Sequence, residues 1–314
     1  MRIPVSEDYD GRTVKDWLYK NNISRALITR LKKSERGITV NGSHVTVRYI
    51  LRAGDMLELE LSDRAGDENS ALIPTEMPLD IIYEDDELIA VNKPAFMPTH
   101  PSLGHFTDTL ANGLAYYFKS RGIPFVFRAV NRLDRDTSGV VLAAKNQYAA
   151  SELSALMQSG RIRKTYIAAL NGCPEPASGE IHVPIRRREE TIILRETCSS
   201  GAPGAKDAIT RYETLCSGDG ASIVRAEPIT GRTHQLRVHF AYAGAPIIGD
   251  GLYGSAETTP TPLDRMMSRH ALHAASLTVE RDGGALCFRA KLPPDMQELC
   301  NRIKGAEFSL SWKS

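Results

Sequence analysis

The chain is poor in the residues that announce several common chemistries. Among its 314 residues only five are cysteine (Cys173, Cys198, Cys216, Cys287 and Cys300), scattered and without a C-x-x-C pair. That pattern indicates neither a disulfide framework nor a thiolate zinc site. His234 and His239 stand five apart, His270 and His273 three apart, and no H-E-x-x-H stretch occurs. The i, i+4 histidine pair of a zinc peptidase is missing, and no metal is expected. A phosphate-cradling glycine loop and a G-x-S-x-G elbow are both absent, so nothing points to a nucleoside triphosphate or a serine hydrolase. The opening residues "MRIPVSEDYDGRTVKDW" lack a basic-then-apolar secretion pattern, and no apolar run reaches the roughly 18 residues of a membrane span. A surplus of one charge is lacking too, since 39 basic and 38 acidic side chains leave +1. These absences lead to the expectation of a reduced, cytoplasmic, soluble protein without a membrane partner, with a monomer as the default.

What is present suffices for a small domain beside a large one: 42% of the residues are apolar and 25% charged. Residues 1–62 read as a compact unit. "TVKDWLYKN" and "SRALITRLKKS" carry apolar residues at helical spacing (Val14, Trp17 and Leu18, then Leu27, Ile28 and Leu31), with Ser24 placed to cap the second helix. In "ITVNGSHVTV" the Asn41-Gly42 pair separates two alternating runs, which predicts a hairpin. "LRAGDMLELEL" adds a turn and a strand.

Charge within this unit is lopsided. From Ser24 to Arg52 seven basic residues (Arg25, Arg30, Lys32, Lys33, Arg36, Arg48 and Arg52) face one acid, Glu35. Such a footprint suits phosphate contacts, and it equally suits a solvated helix face. The polar, aperiodic "SDRAGDENSALIPTEMP" predicts a linker over 63–78.

Residues 79–314 read as one large domain. Two strands around an acidic turn ("LDIIYEDDELIAVNKPAF") precede a helix ended by Gly160 ("QYAASELSALMQSG") and the strand "RKTYIAALNG". "ASIVRAEPITG" reads as a strand feeding a loop, and "THQLRVHFAYAG" as a helix ended by Gly244. Strands and helices mix without strict alternation, which predicts an α+β fold on a mainly antiparallel sheet.

Three segments could carry chemistry. "VNRLDRDTSGVV" packs Arg132, Asp134, Arg135 and Asp136 against the start of an apolar strand. A carboxylate beside arginines stays ionised and can act as a nucleophile or base; alternatively Asp134 merely caps Thr137 or Ser138. Asp134 and Asp136, two apart on an extended chain, do not make the paired acids of a glycosidase. In "PITGRTHQLRVH", Arg232, Thr233, His234, Arg237 and His239 cluster where a loop becomes a helix. There His234 and Arg237 would share a face, Leu236 and Phe240 would form the buried stripe, and Arg237 could reach a carboxylate from elsewhere or sit in a surface ion pair. In "RIRKTYIAAL" a strand would put Lys164 and Tyr166 on one face, a ring and a cation for a planar, phosphate-bearing substrate or else an ordinary core tyrosine.

Together these segments resemble the RluA/RluD-type pseudouridine synthases. "NRLDRDTSG" is similar to that family's H-R-L-D-x-x-T-S-G motif, "KTYIAAL" to its K-x-Y segment, and "PITGRTHQLRVH" to its G-R-T-H-Q-[IL]-R-x-H segment; "VNKPAFMPTHP", "PIIGDGLYG" and "RHALHA" resemble further segments. The resemblance implies a catalytic Asp134 assisted by Tyr166 and Arg237, with Arg132 filling the space left by an everted uridine. Arg237 would aim the carboxylate, and Tyr166 would pack against the base and help remove the proton from ring carbon five. Asn131, Arg132, Lys164 and Arg232 would then face RNA. Asn131 departs from the family's histidine and cannot titrate near neutrality.

Residues 1–62 resemble an S-four-like RNA-binding module, which would add Arg25, Arg30, Lys32, Lys33 and Arg36 to the RNA contacts. The implied reaction consumes no water and oxidises nothing, so no cofactor is expected. The implied partner is RNA, ribosomal before transfer RNA. A non-catalytic RNA-binding or ribosome-assembly protein is the chief rival, and a glycoside or nucleoside hydrolase would need a second placed carboxylate.

Overall fold

Alternating apolar runs and the Asn41-Gly42 pair dictate the first part of the fold. A computed structural model of the protein describes residues 1–21, 23–63, 72–189, 191–254 and 260–310. Strand β1 (Arg2–Pro4) precedes helices α1 (Val14–Lys20) and α2 (Arg25–Lys32), then β2 (Ile38–Val40), β3 (Ser43–His44) and β4 (Met56–Leu59). Thr13 starts α1 with a reciprocal capping box to Asp16, and the Ser24 hydroxyl accepts from the Leu27 amide to start α2. Asn41 and Gly42 both hold positive φ (51° and 79°), the conformation of a two-residue hairpin turn. The four strands order β1-β4-β2-β3 and enclose, with the two helices, a core that includes Val14, Trp17, Leu18, Leu27, Leu31, Ile38, Leu57 and Leu59.

Of the expected linker, residues 64–71 lie outside the described residues. Its first residue, Asp63, is buried and takes a forked pair of bonds from Arg128 at 2.8 and 2.7 Å. Further on, the Thr75 amide bonds to the Asn112 carbonyl, and the Asn112 side chain bonds to the Ile73 carbonyl.

The second sheet is built from β5 (Asp80–Glu84), β6 (Leu88–Lys93), β7 (Arg128–Ala129), β8 (Ser138–Ala144), β9 (Ile162–Asn171) and β10 (Ser178–His182), joined later by β13 (Ile209–Gly218), β14 (Ala221–Pro228), β15 (Leu272–Arg281) and β16 (Gly284–Arg289). A separate hairpin pairs β11 (Ile185–Arg187) with β12 (Arg195–Thr197). Helices α3 (Leu110–Lys119), α4 (Gln147–Gln158), α5 (Gln235–Tyr242) and α6 (Pro294–Lys304) complete the elements. The main path runs β10-β13-β14-β9-β15-β8-β6-β5. Among the described strands every pairing is antiparallel except one, β8 with β15.

That parallel seam explains the run "DTSG". At Gly139, φ is +115°, and a Cβ there would sit 2.2 Å from the Ala274 carbonyl oxygen, so only glycine lets the strands close. Beside it the Ser138 hydroxyl pairs with His273 Nδ1 at 2.9 Å, and Thr137 Oγ1 with His270 Nε2 at 2.7 Å. Both histidines are buried, and desolvation drives each imidazole pKa down to about 4. The seam is therefore stitched by neutral rings, and the loop carrying Asp134 leaves directly from it.

Candidate active site

Three segments distant in sequence meet around one cavity of about 660 Å³, lined among others by Arg132, Asp134, Lys164, Tyr166, Arg232, His234 and Arg237. That volume is in the range of small-ligand sites. Asp134 stands on the extended stretch just before β8. Its backbone carbonyl accepts from the Thr137 amide at 3.1 Å, which leaves the carboxylate for the cavity instead of the cap. Arg135 and Asp136 pair with each other at 2.7 Å, so the second acid of the motif is spent on its neighbour. The charge crowded at the strand edge thus divides into one exposed ion pair and one carboxylate aimed inward.

Arg237 Nη1 lies 3.7 Å from Asp134 Oδ2. Its other nitrogens are already committed: Nε and Nη2 each donate to Asp250 at 2.7 Å. Asp250 also accepts from the amides of Leu252 and Tyr253, at 3.0 and 3.1 Å. Burial would raise the Asp250 carboxyl, but the bonds from Arg237 outweigh it and hold it below its ordinary value. The guanidinium also lies over the Tyr253 ring, 5.0 Å from its centroid. A buried fork of this kind fixes the arginine plane and leaves one edge facing Asp134. Asp250 and Tyr253 are functional candidates that motif spacing alone does not single out; their only mark in the sequence is "PIIGDGLYG".

Helix α5 holds Arg237 rigidly because it is buried all round from Gln235 to Phe240, not along a Leu236–Phe240 stripe alone. Its buried polar side chains are partnered. Gln235 Nε2 donates to the Ile209 carbonyl at 2.9 Å while its Oε1 accepts from Thr230 and from the Arg232 amide. His239 bridges Thr210 Oγ1 and the Val183 carbonyl at 2.9 and 3.0 Å.

His234 does not share a helical face with Arg237. It is the residue before α5, in a left-handed conformation (φ 57°) that costs a bulky side chain about 1–2 kcal/mol. From there its Nδ1 meets the Tyr253 hydroxyl at 2.7 Å and its Nε2 faces Asp134 at 3.8 Å. Desolvation lowers its pKa despite the attraction of Asp134.

Tyr166, on β9, is buried at the cavity floor. Desolvation first, and the charge of Asp134 second, raise its pKa, so at neutral pH it is an un-ionised phenol. Lys164 lines the same cavity with no hydrogen-bond or ion-pair partner among the described residues, and desolvation lowers its pKa. Arg232 is exposed at the rim and its Nε holds the Asp207 carbonyl at 2.8 Å. Arg132, two residues before Asp134, is exposed and also lines the cavity.

Two expected RNA contacts are engaged within the protein. Asn131 is buried, its amide donating to the Val140 carbonyl at 3.0 Å and accepting from the Leu142 amide at 2.8 Å. Its side chain completes the edge of β8 at the wall of the cavity that Asn131 also lines. Arg30 turns inward, with Nη2 on the Leu61 carbonyl at 3.0 Å and Nη1 3.8 Å from Asp63. Arg25, Lys32, Lys33 and Arg36 are exposed, away from the cavity lining.

Against this geometry the relatives are informative. Residues 87–242 match the sequence family described as RNA pseudouridylate synthase. The uncharacterized RNA pseudouridine synthase YjbO of Bacillus subtilis is 35% identical over 93% of this chain and 99% of its own. The ribosomal large subunit pseudouridine synthase D of Yersinia pestis is 32% identical over 95% of this chain and 87% of its own. The solved structure of human RNA pseudouridylate synthase domain containing 1 is similar at a TM-score of 0.57 and 29% identity, over 71% of this chain and 87% of that one. A cavity built from Asp134, Tyr166 and Arg237 and relatives spanning nearly the whole length lead to one conclusion: this chain belongs to the RNA pseudouridine synthase family.

Proposed function

We propose that this RNA pseudouridine synthase isomerises a uridine everted into the cavity beside Asp134, and that the RNA is ribosomal. The observation that supports the reading is the convergence of Asp134, Tyr166 and Arg237 on one nucleotide-sized cavity. Asp134 meets the ribose, either adding to its carbon one or taking the 2′ proton. The bond from carbon one to ring nitrogen breaks, the uracil turns, and ring carbon five bonds to the same sugar carbon. The proton lost from carbon five is balanced by the one gained at the freed nitrogen, so the sum is an isomerisation.

Arg237, fixed by Asp250, keeps a cation edge on Asp134 throughout. Tyr166, as a neutral phenol, packs against the base; serving also as the base for the carbon-five proton would require overcoming its raised pKa. Lys164, Arg232 and Arg132 surround the opening as phosphate-seeking cations.

Residues 1–62 act as an S-four-like RNA-binding module through Arg25, Lys32, Lys33 and Arg36, and residues 79–314 act as the catalytic domain. Ribosomal RNA is favoured because the Yersinia relative carries a ribosomal large subunit name. A cytoplasmic, monomeric enzyme fits this work.

Asp134→Asn is the direct test. Pseudouridine formation on ribosomal RNA should fall more than about a thousandfold, ~4 kcal/mol of barrier, while RNA affinity changes little. Retained isomerisation would refute the role of Asp134, and free uracil among the products would favour a hydrolase.

A further inference from the structure

Between β6 and α3 the chain runs through residues 94–109 without a helix or strand of its own. Connections of this length inside a folded domain usually serve a function. This one is not loose. The fully buried Lys93 ammonium donates to the carbonyls of Pro94, Met97 and Arg135 at 2.8, 2.7 and 3.1 Å. Thr99 Oγ1 donates to the Leu133 carbonyl at 3.0 Å and accepts from the Leu133 amide at 3.2 Å. Ser102 and His105 exchange backbone hydrogen bonds at 3.0 and 2.9 Å, closing a small hairpin. The ring of His100 sits edge-on to Phe127, 5.0 Å between centroids.

A loop so firmly seated nonetheless turns large apolar side chains to water. Phe96 is 52% exposed, Leu103 95% and Phe106 60%. Phe96 is the sharpest case. Its φ is +65°, a backbone conformation that glycine adopts freely and a bulky side chain does not. The ring recovers little of that strain by burial. Strain of this kind held at a fixed place points to a use. Both pins of the loop land on residues flanking Asp134, namely Leu133 and Arg135, so the loop is fastened to the segment that carries the cavity's carboxylate.

We propose that the 94–109 loop is a base-stacking platform, on which Phe96 and Phe106 receive unpaired nucleobases next to the everted uridine. The proposal rests on the reading of the substrate as RNA and adds a binding surface to it. Eversion leaves neighbouring bases with uncovered faces, and an aromatic ring accepts any of the four without regard to sequence.

The test uses Phe96→Gly, Phe96→Trp and Phe106→Ala in the full chain, with in-vitro-transcribed ribosomal RNA as substrate. Phe96→Gly should keep or raise the thermal midpoint while its KM and dissociation constant rise about tenfold, within the range for losing one stacked base. The single-turnover rate at saturating RNA and the salt slope of binding should stay as in wild type, because the lost contact is uncharged and remote from the reacting atoms. Phe96→Trp should restore affinity, and Phe106→Ala should weaken it several-fold. Wild-type affinity in both Phe96→Gly and Phe106→Ala overturns the proposal. So does a wild-type self-association that Phe96→Gly abolishes, since the surface would then serve a second copy. Should wild type leave the transcript unconverted, the substrate reading fails, and the loop is judged on a labelled oligouridine: equal affinity of wild type and Phe96→Gly sinks it.

Discussion

Residues 1–62 and the cavity at the β8–β15 seam both gather cations, and they handle them in opposite ways. On α2 and the turn after it, Arg25, Lys32, Lys33 and Arg36 stand in solvent with no ion-pair partner among the described residues. At the seam Arg237 and Arg269 are buried and held by fixed partners: Arg237 by Asp250 with Nη1 3.7 Å from Asp134, Arg269 by Asp295 and the carbonyls of Asp136 and Leu272. Surface cations of the first kind contribute little to stability but remain available to a polyanion. Buried cations of the second kind cost desolvation and return fixed geometry, which a reacting carboxylate needs. Arg30 shows that proximity in sequence does not decide the class, for it sits among the first group and is held like the second.

The largest way to break this comparison is Asp250→Asn. Removing one partner of a buried ion pair should cost ~3–5 kcal/mol of folding stability by denaturant titration. Turnover at saturating RNA should drop at least about a hundredfold, with KM nearly unchanged, because the guanidinium edge facing Asp134 loses its aim. Activity within twofold of wild type would mean that Arg237 needs no orienting partner.

Acid sharpens the comparison next. The His270 imidazole, held at about 4 when folded, titrates near 6.5 when unfolded. Below pH 6.5 the unfolded chain binds a proton that the folded one refuses, so the stabilisation present above that pH is lost as pH falls towards 4. The expected loss is roughly 3 kcal/mol, given 1.36 kcal/mol per unit. His270→Asn should make the stability profile between pH 4 and about 6.5 less steep, leaving the share that His273 contributes; an unchanged profile would show that the seam does not enforce a neutral ring at His270.

On the N-terminal side, replacing Lys32, Lys33 and Arg36 by glutamine should weaken RNA binding and reduce its salt slope by about 0.7 to 0.9 per lost phosphate contact. Stability should move by less than about 0.5 kcal/mol. Arg30→Gln should do the reverse, costing ~1 kcal/mol of stability with no change in slope. Identical behaviour of the two variants would erase the distinction drawn between them.

Much of this was legible in the residues. The capping serine of α2, the Asn41-Gly42 hairpin, the mainly antiparallel sheet and the meeting of Asp134, Tyr166 and Arg237 follow from local periods and from a resemblance carried by several motifs. What escaped shares one cause. Spacing tells which side chains point together, but not what the other side of the sheet brings to meet them. Asn131 reads as an RNA contact, and spacing does not show that β8 takes its amide. Arg237 reads as reaching for Asp134 until the turn after residue 249 presents Asp250 at closer range. Likewise α5 shows a plausible stripe because periodicity cannot reveal that β12, β13 and β14 pack around it.

The placement of β15 between β9 and β8 carries a consequence for biogenesis. During synthesis the ribosome delivers the Asp134 loop long before it delivers Leu272, and until then two strand edges that belong together have nothing to close them. In a nascent chain the seam from which the Asp134 loop leaves therefore stays open until β15 has been made.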